Sequence, residues 1–401
     1  MKNPRAALAV VTALGCVALS ACGSGDGSDS AGGGSKVVRI GVVGPQSGAA
    51  PQFWTDAIRP AQMAADELGK KYGVQTEIVE ADDKGTPEGA SQALQKLLNS
   101  EKVDVVFGPP QSGNALQVAE VVQRTGRPWF LAAQSPQLIN PNAKPNWAFR
   151  TNFASDDLAS IVGTLLFAPG QTVGVVHSAD AFGQTSLKAV QDYATAKGQK
   201  VAAVEAIQPG STDFSPSVRR LKDAGVTAVF MALTAGADTA TVTRAMVQED
   251  FKPKLKVTNA TILADFSKLA QPAQWENLVF VDTRHLTEGA MAKISADYKK
   301  RFSADPILPT NVYSIYAGMD AYLRAVAKVG DAKNYKGVRD AIESLDQLTV
   351  GSDTFAKPFS ADDHELYSPD DPSTLFVYGF DPKGKLVEKG SVADCLDGTS
   401  C

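Results

Sequence analysis

The sequence predicts an α/β protein built from two successive Rossmann-like halves, and three observations predict it. From Lys36 onward, short apolar, β-branched runs alternate with stretches of helical periodicity, the pattern of βαβ units around a mostly parallel sheet. The alternation restarts near Thr172. The chain has 401 residues, 44% hydrophobic and 21% charged, enough for two ordinary domains of globular composition.

In chain order, Val37–Val43 reads as a buried strand, Thr55 to about Lys71 as a helix with Ile58, Met63, Ala64 and Leu68 on one side, and Thr76–Glu80 as a second strand. Pro87 to about Ser100 reads as a helix and Val103–Gly108 as a third strand. The second half gives a strand at Thr172–Val176, a helix at Thr185–Lys197, a strand at Lys200–Ala206, a helix at Ser215–Ala224 and a strand at Ala228–Leu233. Later strands are expected at Leu278–Val281 and Leu375–Gly379, and later helices at Glu288–Phe302, Val312–Val329 and Lys336–Leu345. These late elements are too many to close one sheet, which suggests that the chain recrosses between domains.

The first 35 residues differ in kind. Lys2 and Arg5 precede an apolar stretch from Ala6 to about Leu19, too short to span a bilayer and suited to a signal peptide. It ends in Leu19-Ser20-Ala21-Cys22, which resembles the bacterial lipobox, with Cys22 as the lipidated first residue of the mature chain. The alternative is an ordinary signal peptide cut after Ala21. Residues 23–35 carry no large apolar side chain and are expected to form a flexible tether. Removing residues 1–21 takes away Lys2 and Arg5 and no acid, moving the net charge from −5 to −7. That balance argues against nucleic acid as a partner, since phosphate binding needs a basic surface. Cys395 and Cys401 remain at the C-terminus, where an oxidising compartment would favour a disulfide; free thiols or a metal site are the rival readings, the last with too few ligands for zinc. No cofactor is expected.

In open α/β sheets the ligand crevice forms at the carboxyl ends of the strands. The loops there are Gly44–Trp54, Gly108–Asn114, Ala132–Gln137, Ser178–Gly183 and the segment after Leu233. They are rich in Ser, Gln, Gly and aromatic residues, which suit hydrogen bonding and apolar cover more than bond breaking.

Several runs then carry a family resemblance. Arg39-Ile40-Gly41-Val42-Val43-Gly44-Pro45-Gln46-Ser47-Gly48 resembles the opening of the branched-chain amino-acid-binding group of periplasmic binding proteins. Asp82-Asp83-Lys84-Gly85-Thr86-Pro87, Gly108-Pro109-Pro110-Gln111-Ser112-Gly113, Arg127–Pro136, Phe149-Arg150-Thr151, Phe182-Gly183 and Pro209–Ser215 follow in the family's order, over about residues 37–390. The resemblance implies a type I periplasmic-binding-protein fold: two Rossmann-like lobes joined by a three-strand hinge around a ligand cleft. The expected division is residues 36–154 plus 284–355 for the first lobe and 155–283 plus 356–394 for the second. Residues 1–21, 22–35 and 395–401 would be the signal peptide, the lipidated tether and a C-terminal tail.

The resemblance also implies site residues. Ser112 matches a serine that holds the ligand, Ala132-Ala133-Gln134 matches a ligand-binding Ala-Ala-Thr segment, and Phe182 matches an aromatic residue that covers the ligand. With Gly113, Ser135, Trp54 and Thr234 these make the expected ligand-binding set. Thr234 stands where the family commonly has Tyr, and no acid stands near Asn259, where the family has a Glu that meets the ligand ammonium. A buried ammonium needs a charged acceptor, so this departure opens the ligand class to carboxylates and neutral molecules with an apolar or aromatic body. Phe53 and Trp54 would line such a pocket, or pack in the core; Arg284 would meet a carboxylate, or sit as a surface charge. The function implied is capture of a small amino acid or related carboxylate or amide by a monomer, lipid-anchored at the outer face of the cytoplasmic membrane or in the periplasm. Its partners would be the permease subunits of an ABC importer with a separate ATPase. A ligand-sensing receptor component on the same scaffold, with an aromatic or other non-amino-acid ligand, is the alternative.

Catalysis has little support in the sequence. The three histidines are His177, His285 and His364, and no Gly-x-Ser-x-Gly elbow accompanies the conceivable set of Ser178, His177 and Asp180. Asp362-Asp363-His364-Glu365 lacks calcium-loop spacing and reads as a solvated turn. No Gly-x-x-x-x-Gly-Lys-Ser/Thr loop is present, so the chain carries no ATP motif of its own.

Overall fold

A computed structural model describes residues 37–48, 51–140, 142–259, 263, 266–282, 285–367 and 375–396. Strands β1 (Val38–Gly44), β2 (Thr76–Asp82), β3 (Val105–Phe107), β4 (Trp129–Leu131) and β5 (Ala148–Arg150) form one parallel sheet in the order β2-β1-β3-β4-β5. Its crossovers are α1 (Gln52–Tyr72), α2 (Pro87–Gln95, continued by one π turn at Lys96–Ser100) and α3 (Ser112–Thr125).

Alternation along each strand sends side chains to opposite faces. Val38, Ile40 and Val42 pack with Ala57, Ala61, Ala64 and Leu68 of α1. Val43, Val106, Trp129 and Leu131 pack on the other face with Leu94, Leu97, Ala115, Val118 and Val122. Phe107, Phe130 and Phe149 stack in a row across three adjacent strands, with centroids 5.0 and 5.4 Å apart.

The chain then enters a second sheet through α4 (Ser155–Leu166). It continues as β6 (Val173–Ser178), α5 (Ala181–Ala196), β7 (Ala203–Ile207), α6 (Ser215–Asp223), β8 (Ala228–Ala232), α7 (Gly236–Gln248) and β9 (Leu255–Thr258). The short helices α8 (Phe266–Leu269) and α9 (Pro272–Trp275) lead to β10 (Leu278–Asp282). The order β7-β6-β8-β9-β10 repeats the order of the first sheet, again parallel.

The late elements divide between the two sheets. Helices α10 (Gly289–Phe302), α11 (Pro309–Val329) and α12 (Tyr335–Glu343) and the hairpin β11 (Gln347–Val350)–β12 (Asp353–Ala356) belong with the first sheet. There Tyr72 donates to the buried Asp320 of α11 at 2.5 Å, and Tyr298 of α10 donates to Asp56 of α1 at 3.1 Å. Strands β13 (Phe376–Phe380) and β14 (Leu386–Ser391) add antiparallel to the second sheet beyond β10, and α13 (Val392–Leu396) follows.

Residues 357–367 stay beside β5, later than the 355/356 boundary expected. The His364 ring stacks on Phe149 at 4.1 Å. Arg150 N donates to His364 O at 2.8 Å and Leu366 N to Arg150 O at 2.9 Å. The segment has no periodic pattern to reveal this; its position is set by contacts with one strand.

Candidate functional site: a cleft between two switch points

In each sheet the strand order reverses direction beside the first strand, at β1/β3 and at β6/β8, where loops diverge and leave a crevice. One cavity of about 720 Å³ is lined from both sides at these points, within the ~300–1,000 Å³ usual for small-molecule sites.

On the first-lobe side the chain leaves β3 through Gly108, whose φ is +85° and where a Cβ would lie 2.3 Å from Val43 O. Only glycine fits so tight an exit. Gln111 is extended, and α3 begins at Ser112 with no side-chain cap and no acid in its first turn. Ser112, Gly113 and Asn114 all line the cavity. The amides of a helix's first turn have no intrahelical partners and carry its positive end. Ser112 Oγ accepts from Ser135 N at 3.2 Å, tying α3 to the β4 loop. Asn114 donates to the buried Asp83 at 3.0 Å, while Asp83 accepts from Gly85 N at 2.8 Å. Asp83 therefore braces the start of α3, while Gly85 and Pro87 of the same run line the cavity.

The β4 loop is gripped by the first crossing segment. Asn152 Nδ2 donates to Ala132 O at 3.1 Å, and Ser155 N to Gln134 O at 2.8 Å. The fully buried Arg150 donates to Gln134 O at 2.9 Å and Ser135 O at 2.7 Å, and pairs with Glu365 at 3.1 Å. Burial, partly offset by Arg150, pushes the Glu365 carboxyl up to about 7.

On the second-lobe side Asp180 caps α5 by accepting from Gly183 N at 2.9 Å and also receives the Thr234 hydroxyl. Thr234 N donates to Ser178 Oγ at 3.0 Å. Asp238, in the first turn of α7 and 2% exposed, accepts from Gly210 N at 3.0 Å. Its Oδ2 is buried without a hydrogen-bond partner among the described residues. Burial, against the Gly210 amide and with the nearby Asp180 charge, raises the Asp238 carboxyl above its ordinary range. A buried acceptor left unpaired costs about 1–3 kcal/mol.

Of the expected ligand set, Ser112, Gly113, Ala132, Gln134, Phe182 and Thr234 line the cavity. Trp54 and Ser135 are not among its lining residues. Helix α1 starts at Gln52, so Phe53 and Trp54 lie in its first turn about 100° apart. Phe53 lines the cavity, whereas Trp54 packs into the core against Gly44. Ser135 is fully buried, with its amide on Ser112 and its carbonyl on Arg150.

Asn259 lines the cavity and accepts from Leu233 N at 3.3 Å. Asp180 and Asp238 also line it. Asn114, Asn152 and Asp238 were outside the expected ligand set; Asn114 directly follows the Gly108–Gly113 run and ends an expected crevice loop, Asn152 directly follows Phe149-Arg150-Thr151, and Asp238 had no motif beside it.

Arg284, Cys22 and Cys401, and the side chain of Cys395, lie outside the described residues. His177 Nδ1 lies 2.9 Å from Ser178 O, while Ser178 Oγ and Asp180 are engaged with Thr234. The 362–365 run bonds to neighbouring chain: Asp362 to Lys144 at 2.6 Å, His364 to Ala148 O at 2.8 Å, and Glu365 to Arg150.

Two parallel sheets of the same strand order, with one cavity lined by both switch points, define a bilobal binding protein. The periplasmic binding protein family model matches residues 37–376, and the chain belongs to that family, in its branched-chain amino-acid-binding, type I group. It is 23% identical to the Leu/Ile/Val-binding protein BraC3 of Rhizobium johnstonii over 80% of this chain and 88% of that one. It is 26% identical to an amino acid binding protein of Pseudomonas aeruginosa over 48% of this chain, a match spanning about half (53%) of that relative's length. The crystal structure of a periplasmic binding protein type 1 from Bordetella pertussis superposes with a TM-score of 0.79 at 21% identity, covering 88% of this chain and all (100%) of that one.

Proposed function

We propose that the protein is the extracytoplasmic solute-binding subunit of an ABC importer, held at the membrane by a lipid on Cys22. It captures a small amino acid or a related carboxylate or amide between its lobes and delivers it to the permease subunits. The observation that carries this reading is the cavity of about 720 Å³ lined by residues of both lobes. A ligand held from both sides favours the closed arrangement, because it gains contacts there that neither lobe supplies alone. Ser112 and Gln134 supply hydrogen bonds from the first lobe, and Phe182 supplies apolar cover from the second. Phe53 and Phe153 also line the cavity, which supports an aromatic body as the second reading of the ligand.

A thermal-shift screen of residues 36–401 tests this. The panel holds branched-chain and other amino acids, aromatic acids, short amides and dicarboxylates. A ligand at 100 times its dissociation constant stabilises the folded state by about 2.7 kcal/mol, a rise of several degrees. No shift with any member would contradict solute binding. Growth on the identified solute, lost on deletion of the gene, would support import over sensing.

A further inference from the structure

Two of the segments that join the lobes run side by side at one buried charge. The first leaves β5 at Arg150 and enters α4 at Ser155; the other, residues 357–367, pairs with β5 before the chain reaches β13. The Arg150 side chain is 0% exposed. Its Nη atoms donate to Gln134 O and Ser135 O, and its Nε lies 3.1 Å from the Glu365 carboxylate. One guanidinium thus ties a cavity loop to a crossing segment.

Acids surround this guanidinium from both sides. The crossing segment brings Glu365 and Asp363, the latter accepting from Glu365 N at 2.9 Å. The first turn of α4 brings Asp156 and Asp157, the latter accepting from Ala154 N at 3.1 Å. The other charged neighbours are engaged elsewhere. Asp362 pairs with Lys144 at 2.6 Å. His364 stacks on Phe149, with Ala148 O at 2.8 Å, Glu343 at 3.2 Å and the Arg339 charge nearby. One cation does not compensate four acids, and burial disfavours the ionised form of each. Burial, partly offset by Arg150, holds Glu365 at about 7, and burial, against the Ala154 amide, raises Asp157 to about 6.

As pH falls, Glu365 therefore takes a proton first, while Asp157 stays ionised about one unit further. The attraction on Arg150 passes from the 357–367 segment to the start of α4. A proton that binds one arrangement of the lobes more tightly than another shifts their populations by that difference.

We propose that Glu365, Arg150 and Asp157 form a proton-operated hinge switch. The charge states of the two acids decide whether Arg150 is held by the 357–367 segment or drawn toward α4. With it they reset the resting arrangement of the lobes and the grip on the Gln134 loop.

The test is hydrogen exchange by mass spectrometry on residues 36–401 without ligand, from pH 5.5 to 8.0, with rates corrected for the intrinsic pH dependence of exchange. Expected is a change of roughly threefold or more in protection of residues 150–157 and 363–366 across that range. Glu365→Gln, which mimics the protonated acid, should hold the low-pH pattern throughout. Scattering at the two pH extremes should give different radii of gyration for the wild type and equal radii for the variant. Melting checks that the variant is folded; if it is not, Asp157→Asn takes its place and should move the midpoint of the wild-type change. Protection and radius independent of pH in the wild type would overturn the proposal. So would a pH response that persists unaltered in folded Glu365→Gln, which would place the titrating group elsewhere, Asp238 in the cleft included. No ligand is present in either measurement, so failure here leaves the solute-binding reading standing.

Discussion

The two lobes share one topology and hold their loops by different means. In the first, the cleft loops are fastened from behind. Arg150 and Ser155 grip the β4 loop through backbone carbonyls, and Asp83 braces Asn114; Asn152, which holds Ala132 O, is the exception and also lines the cavity. In the second, the fasteners themselves line the cleft: Asp180 and Asp238 hold Gly183 and Gly210 and also face the cavity. Substitutions in the first lobe should therefore separate stability from ligand choice, whereas those in the second should mix the two.

The largest effect is expected at Arg150. Arg150→Met leaves Glu365 without its counter-charge, Ser135 O without the guanidinium donor and Gln134 O with Ser155 N alone, and removing one partner of a buried pair costs about 3–5 kcal/mol. Urea unfolding measures it; a loss under 1 kcal/mol would show that the crossing segment is not what holds the β4 loop.

Asp56 comes next. It is fully buried, bonded to Tyr298 and Leu308 N, and pushed by burial up to about 6. Because the folded pKa is raised, this group's stabilising contribution is full below 3.8 and is lost as pH rises through about 6. Asp56→Asn should therefore abolish a part of the pH dependence. The stability difference between wild type and variant should widen as pH falls from 7.5 to 4.5, by roughly 1–3 kcal/mol. A difference independent of pH would contradict this.

Ser112→Ala is expected to weaken ligand binding by about 1–3 kcal/mol, since it also leaves the Ser135 amide unpaired. Unchanged affinity by calorimetry would remove Ser112 from the ligand's contacts. The smallest effect is expected at Thr234→Val, which takes one hydroxyl from Asp180 and should alter affinity by about 1 kcal/mol. If it cost more than Ser112→Ala, the ranking of the two walls would be reversed.

What could be read from residues alone divides along physical lines. Strands such as Val38–Gly44 are buried on both faces and show as apolar runs, so the two α/β halves were legible. Ser112, Ala132, Gln134 and Phe182 were implied only by the family resemblance, and all four line the cavity. Phe53 and Trp54 were not separable, because one step of helix rotation decides which faces the cleft. Asp238 was invisible, because its meaning depends on Gly210, 28 residues away, and on the facing lobe. The place of residues 357–367 depends on stacking and pairing with a single strand, which leaves no periodic trace.

The central claim is that one ligand is held by both lobes at once. Small-angle scattering of residues 36–401, with and without the tightest binder from the screen, tests it most directly. A smaller radius of gyration at saturating ligand, with its midpoint moved to higher ligand concentration in Ser112→Ala, is the predicted result. Saturation by calorimetry with no change in the radius would mean that the ligand sits on one lobe alone, and would contradict the account.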